Sequence, residues 1–157
     1  MDIRKATAAD LEPVVAIAER QRRQYQKFPP TFWRKAASSA GASRGVFSEL
    51  LAEPHTFFLV ALEGRQLLGF LVARKWAPPP VQAPGGETWL IDHFAVLEPH
   101  HWLAIGEALL SHATALIHEA GAAQIVVSCA DRDLAKAEML RRSDLAIAAN
   151  WWTKPLT

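Results

Sequence analysis

The chain has 157 residues, half of them hydrophobic and 21% charged, which fits one domain spanning residues 1–157 with a real core and excludes a disordered chain. Lys and Arg number 17 against 16 Asp and Glu, for a net charge of +1. That balance lacks the basic excess of a dedicated nucleic-acid binder, yet leaves room for a small anionic ligand held by a few local donors. The first residues, Met1 to Lys5, run into Asp10 and Glu12 with no apolar segment of the kind a signal peptide needs. They read as a short strand over residues 2–6. Thr7 and Asp10 then suit a helix start, and Leu11, Val14, Val15 and Ala18 fall at i, i+3, i+4 and i+7, one apolar stripe. The polar run from Glu19 to Lys27 closes this helix near Pro29-Pro30.

Residues 38–44 are small and polar and read as a loop. A short helix carrying Val46, Phe47, Leu50 and Leu51 follows, and Pro54 stops it. Residues 56–62 and 66–76 are two runs of strand formers joined at Glu63-Gly64-Arg65, the pattern of an antiparallel hairpin. Residues 77–87 hold four prolines and Gly85-Gly86, an exposed loop. Residues 88–96 are a further strand. Residues 101–120 carry the strongest helical pattern, with Leu103, Leu109, Leu110, Ala113, Leu116 and Ile117 on one face and Gly121 at the place of a helix C′ residue. Residues 123–129 read as a strand of β-branched residues. Asp131 or Asp133 suits the cap of a last helix over residues 134–142. Residues 146–154, with Trp151 and Trp152, are the last strand candidate.

The order is β-α-α-β-β-β-α-β-α-β, an α/β chain of the α+β type. A hairpin block followed by one β-α-β unit predicts a mixed central sheet with helices on both faces. Cys129 is the only cysteine, so no intrachain disulfide forms, and no apolar run approaches the roughly 20 residues of a membrane helix. The expectation is a cytoplasmic protein with neither a nucleic-acid nor a membrane partner. The six histidines show no HExxH and no helical i, i+4 pair, so no metal is expected.

Chemistry concentrates in residues 92–106. Asp92-His93-Phe94-Ala95-Val96 ends a strand, Leu97-Glu98-Pro99-His100 turns, and His101-Trp102-Leu103-Ala104-Ile105-Gly106 opens the long helix. A helix start leaves backbone N–H groups unpaired and carries a positive partial charge, which makes an anion site where small side chains let a phosphate approach.

This element order and this turn resemble the GCN5-related N-acetyltransferase (GNAT) family. The family pattern is a turn with a proline, then Arg or Gln, two residues, Gly, one residue, and Gly or Ala. Here the turn reads His101, two residues, Ala104, Ile105, Gly106, followed by Glu107-Ala108-Leu109-Leu110. His101 replaces Arg or Gln, Ala104 replaces a glycine, and bulky Trp102 stands where glycine is frequent, where it either lines or obstructs the cofactor channel.

The resemblance implies acetyl-CoA as acyl donor and an amine of a small molecule or peptide as acceptor, and it leaves room for a homodimer. It implies that the backbones of Phe94, Ala95 and Val96 meet pantetheine, and those of His101, Trp102, Leu103, Ala104, Ile105, Gly106 and Glu107 the pyrophosphate. A side chain added at Gly106 is then expected to meet the pyrophosphate and spare the fold. The family often places a carboxylate on the strand before the turn, the position of Asp92, with His93 beside it. Adjacent strand residues face opposite ways, so one of the two is expected to face the cleft, and Asp92 is favoured. The tyrosine that many members use as general acid falls at about Leu140, and Asp144-Leu145 replaces a Gly-Phe pair. The only tyrosine, Tyr25, lies in the first helix.

Three readings follow: an N-acetyltransferase, a catalytically weak or inactive acyl-CoA-binding or regulatory domain, and a domain of the same shape that binds no CoA and acts only in protein–protein interaction. Cys129 reads as a core residue rather than a nucleophile. Arg20, Arg22, Arg23 and Lys27 form a basic cluster, read as a solvated face or as a contact for the ribose phosphate of CoA. Phe28, Phe32 and Trp33 either wall an acceptor pocket or pack on the core.

Overall fold

A computed structural model describes residues 1–156. Strand β1 (Asp2–Lys5) leads through a 3-10 turn, Ala8–Asp10, into helix α1 (Leu11–Tyr25). The join is held by Asp10, whose carboxylate accepts two bonds from Arg4, at 2.8 and 3.0 Å, and one from the Thr7 amide at 2.8 Å. The Arg4 guanidinium holds the Asp10 carboxyl below the usual carboxylate range.

Helix α2 spans Ser39–Ala52, so residues 39–44 are helical and not the loop that their small, polar composition suggests. The reason is tertiary. Glu19 of α1 is buried, and its carboxylate accepts from the Ser39 hydroxyl at 2.8 Å, from Lys35 at 2.9 Å and from Arg22 at 3.0 Å. Arg22 also reaches the Ser43 hydroxyl at 2.6 Å. Small residues on this turn let α2 lie close to α1, and the polar contacts override a weak local propensity.

Strands β2 (Thr56–Glu63), β3 (Gln66–Trp76) and β4 (Glu87–Val96) form an antiparallel meander after β1. Helix α3 (Glu107–Glu119) ends at Gly121, whose φ of +84° is the left-handed C′ geometry the sequence suggests. Strand β5 (Ala122–Val127) then pairs parallel with β4, and Asp133 caps helix α4 (Leu134–Arg142) by accepting from the Lys136 amide at 3.2 Å. The sheet runs β1-β2-β3-β4-β5. On one face α1 and α2 cover Phe58, Val60, Phe70, Val72 and Ala95. On the other, α3 and α4 cover Leu59, Leu71, Trp89, Ile91 and Phe94.

Two further expectations change. Residues 146–154 are not a strand: they pair with nothing among the described residues, and Trp151 and Trp152 are 87% and 91% exposed. The segment has β-formers but no ladder partner, and three alanines give it little to bury. Leu103 is exposed, and Trp102, Ile105 and Gly106 take the inward stripe ahead of Leu109 and Leu110.

Candidate functional site

The period-two alternation of β4 breaks in its middle. Ile91 and Trp89 face α3, and so do Phe94 and Val96, which requires one extra residue between the pairs. The ladder supplies it: Ala73 stands opposite Ile91 and Val72 opposite His93, leaving Asp92 as a β-bulge. The bulge undoes the expectation that Asp92 and His93 point apart, since Asp92 Oδ1 lies 3.9 Å from His93 Nε2. Asp92 Oδ2 accepts from Arg74 at 2.6 Å, whereas Oδ1 is buried with no hydrogen-bond partner among the described residues. Such an unpaired acceptor costs about 1–3 kcal/mol, which an incoming N–H donor would recover.

His93 packs edge-on against Phe47, with ring centroids 5.3 Å apart. Burial pushes the His93 imidazole below its ordinary value of 6.5, against the pull of Asp92. The unfolded chain therefore takes up a proton as pH falls through about 6.5, before the folded one does. Stability from this group is present above that pH and is lost as pH falls toward the folded value. Urea midpoints are expected to drop between pH 7.5 and pH 5.5, and the drop should be smaller in His93→Gln. Equal pH slopes in both proteins would refute the assignment.

Beyond the bulge β4 loses its neighbour. Pairing with β5 ends at Ile91 opposite Val127, closed by the Ser128 amide on the Ile91 carbonyl at 3.1 Å. Strand β5 ends there while β4 runs on to Val96, so the Phe94 carbonyl has side chains as partners in place of β5. It accepts from Gln21 Nε2 of α1 at 3.1 Å and from Lys136 Nζ of α4 at 3.3 Å. By alternation Val96 presents its peptide groups to the same edge, while Ala95 turns its own to β3. Lys136, 3% exposed, also lies 5.2 Å from the ring centroids of Phe94 and of Trp102. Behind it the Tyr25 hydroxyl donates to Asp133 at 2.5 Å, and burial with that carboxylate pushes the phenol far up.

At the end of β4 the chain winds through a 3-10 turn, Pro99–His101, and a π-helical turn, Trp102–Gly106, into α3. The His101 amide donates to Glu98 O at 2.9 Å, that of Trp102 to Pro99 O, and that of Glu107 to the carbonyls of Trp102 and Ala104. Leu103 and Ala104 form the exposed outer side, and His101 Nδ1 is buried without a hydrogen-bond partner among the described residues. Trp102 turns inward, edge-on to Phe94 at 4.9 Å, so it does not cover that outer side. A Cβ built on Gly106 would sit 2.5 Å from Trp102 Cε3. The glycine is therefore required by the indole, and a side chain there strikes the core, contrary to the expectation that it spares the fold.

The remaining candidates lie apart or are occupied. Leu140 is buried in the core between α3, α4 and the sheet. Cys129 is half-buried, its thiol pushed up by burial, as suits a core residue. Arg20 pairs with Glu98 of the turn, and Arg22 with Glu19. Arg20 and Arg23, with Ile17, Leu67 and Leu97, line an open groove of about 350 Å³ beside the end of β4. Phe28 and Trp33 gather round Tyr25 at 5.2 and 4.8 Å, and Phe32 meets Trp33 at 4.7 Å. Among the described residues no group of three His, Cys, Asp or Glu could hold a metal, and no helix is long and apolar enough to cross a membrane.

The mixed five-stranded sheet with helices on both faces is a fold that solved structures share. The sequence model of the Acetyltransferase (GNAT) family matches residues 15–142, and the chain belongs to that family. No curated protein matches it. Among solved structures it is similar to a tetramutant of the BH1408 protein from Bacillus halodurans, at 16% identity and TM-score 0.85, covering 99% of this chain and 100% of that one. A predicted acetyltransferase with acetyl-CoA from Clostridium acetobutylicum has 16% identity and TM-score 0.74, over 98% and 95% of the two chains. The aminoglycoside antibiotic 6'-N-acetyltransferase AAC(6')-IG from Acinetobacter haemolyticus has 15% identity and TM-score 0.73, over 100% of both. Identities this low establish the common fold and leave the chemistry to the site.

Proposed function

We propose that this protein is a cytoplasmic N-acetyltransferase that moves an acetyl group from acetyl-CoA to an amine of a small molecule or peptide. The observation that carries this reading is that β4 runs on to Val96, beside the helix start, after its pairing with β5 has ended at Ile91. An unpaired strand edge accepts an extended amide chain as it would another strand, and Phe94 and Val96 supply that edge. Ala95 contributes through its neighbours, because its peptide groups serve β3. At the turn, the amides of Leu103 and Ala104, on the side Trp102 leaves open, and that of Ile105 after them would hold a diphosphate. His101, Trp102 and Glu107 spend their amides inside the turn, and Gly106 serves Trp102. The residues present fit the group on one condition: an incoming pantetheine amide that reaches the Phe94 carbonyl replaces Gln21 or Lys136 there.

Acetyl-CoA supplies an acyl group activated as a thioester. The chain supplies the proton acceptor. Asp92 Oδ1, unpaired and buried at the bulge, orients the acceptor amine and takes its proton, with His93 neutral beside it. A thermal-shift titration with acetyl-CoA tests binding, since a ligand of the native state raises its apparent stability. Thiol release over a panel of amines tests transfer. No shift at saturating acetyl-CoA would defeat the reading.

A second reading, a catalytically weak or inactive acyl-CoA-binding or regulatory domain, is favoured by Leu140 in the core and by the commitment of Tyr25 to Asp133. Binding without thiol release for any amine in the panel would establish it.

A further inference from the structure

Helix α4 carries a buried stripe of Lys136, Met139 and Leu140. A lysine on such a stripe is costly unless its charge has a purpose, because an ammonium leaves water only against a strong compensating interaction. Lys136 finds little compensation. Among the described residues it makes no ion pair within 4.0 Å, and its hydrogen-bond acceptor is the Phe94 carbonyl at 3.3 Å, with the two aromatic rings at 5.2 Å. An ammonium has three donors, so this one holds donors in reserve beside the Phe94 carbonyl, where β4 has run past the end of its pairing with β5.

We propose that Lys136 is the catalytic proton donor to the sulfur that departs from the acyl donor, and that it fills the acid role left open by Leu140. This rests on the acyl-transfer reading above. Lys136 and Asp92 flank one stretch of β4, two residues apart through Phe94 and the bulge. The acceptor nitrogen bonds to the thioester carbonyl carbon and gives its proton to Asp92. The carbon–sulfur bond breaks with its electron pair on sulfur, and the Lys136 ammonium passes a proton to that sulfur. Neutral Lys136 then regains a proton from water, and Asp92 returns its own.

The direction of proton affinity suits the step. Burial lowers the Lys136 ammonium from its ordinary 10.5, against the pull of Cys129 in its ionised form and of the carboxylates Asp133 and Asp92, which face it from the β5–α4 turn and β4. From α1 it faces the uncharged Gln21, and Tyr25 is tied to Asp133. His93, on β4, is lowered in part by Lys136 itself. A thiol ionises near about 8.5, so an ordinary lysine would give up its proton to a thiolate only uphill, and a lowered one does so more readily.

The test reads the ionisation of bound CoA thiol through thiolate ultraviolet absorbance as pH is varied, in wild type, K136M and K136R. In wild type and K136R the bound thiol is expected to ionise about one pH unit lower than in K136M, a tenfold difference. With acetyl-CoA and an amine, kcat falls in both variants while acetyl-CoA affinity holds, because arginine keeps the charge but gives up no proton. Met matches Lys in length and suits a buried site; should K136M fail to fold, K136Q carries the comparison. Identical thiol ionisation in wild type and K136M overturns the proposal, even if affinity drops. Failure of wild type to bind CoA at all defeats the acyl-transfer reading first, and this proposal with it.

Discussion

Asp92→Asn is expected to lower turnover by about a hundredfold or more while acetyl-CoA affinity stays within a few-fold. The variant keeps the size of the side chain and an oxygen for Arg74, which donates to Asp92 at 2.6 Å, so the bulge should hold its shape. What it loses is an acceptor able to take a proton. The consequence falls on the acceptor amine, which must be neutral to attack, and not on strand-edge and turn contacts that are made by backbone. The loss should be greatest at low pH, where little of the amine is already neutral, and should shrink as solution hydroxide does the same work. His93→Gln separates the neighbours: the imidazole packs on Phe47 and has no hydrogen bond to Asp92, so its removal should cost less. Steady-state kinetics from pH 6 to 9 would decide. Equal rates for the wild type and the Asp92→Asn variant across that range would remove Asp92 from the mechanism.

The elements with clear periodicity were legible in the chain: the hairpin around Gly64, the long helix closed by Gly121, and a last helix capped at Asp131 or Asp133, of which Asp133 is the cap. The bulge was legible too, though strict alternation hides it. Trp89 and Ile91 keep one parity and Phe94 and Val96 the other, and a phase change inside a strand signals one extra residue. Lys136 gave a comparable signal, standing three and four residues before Met139 and Leu140 on what is otherwise an apolar stripe. The start of α2 left no such mark. Its small residues are helical because Glu19 and Arg22, some twenty positions earlier, bond Ser39 and Ser43. The tail is the converse case, in which local β propensity finds no partner strand. Composition could not say which way Trp102 turns, because either side of a helix start accepts an indole. That orientation decides whether the turn is open.

Trp102→Ala is expected to destabilise the protein by about 3–5 kcal/mol, since it empties a site that Phe94, Lys136 and Gly106 enclose. Gly106→Ala should cost about 1–3 kcal/mol in the wild-type background, where its Cβ would meet the indole at 2.5 Å and the ring sits too deep in the core to retreat. In the Trp102→Ala background the same substitution should become neutral, or gain about 0.5–1 kcal/mol, because the clash is gone and alanine is the better helix former. The two changes are thus strongly non-additive, and a double-mutant cycle by urea denaturation measures the coupling. The cycle also separates two reasons for a glycine at the opening of α3. If the glycine serves the indole, the double variant recovers the stability lost by Gly106→Ala, and acetyl-CoA affinity follows the fold. If it served an anion at the turn, affinity would stay low in the double variant even where stability had returned. Additive costs would mean that Gly106 and Trp102 do not touch as described, and the inward turn of the indole that leaves the outer side of the helix start open would have to be abandoned.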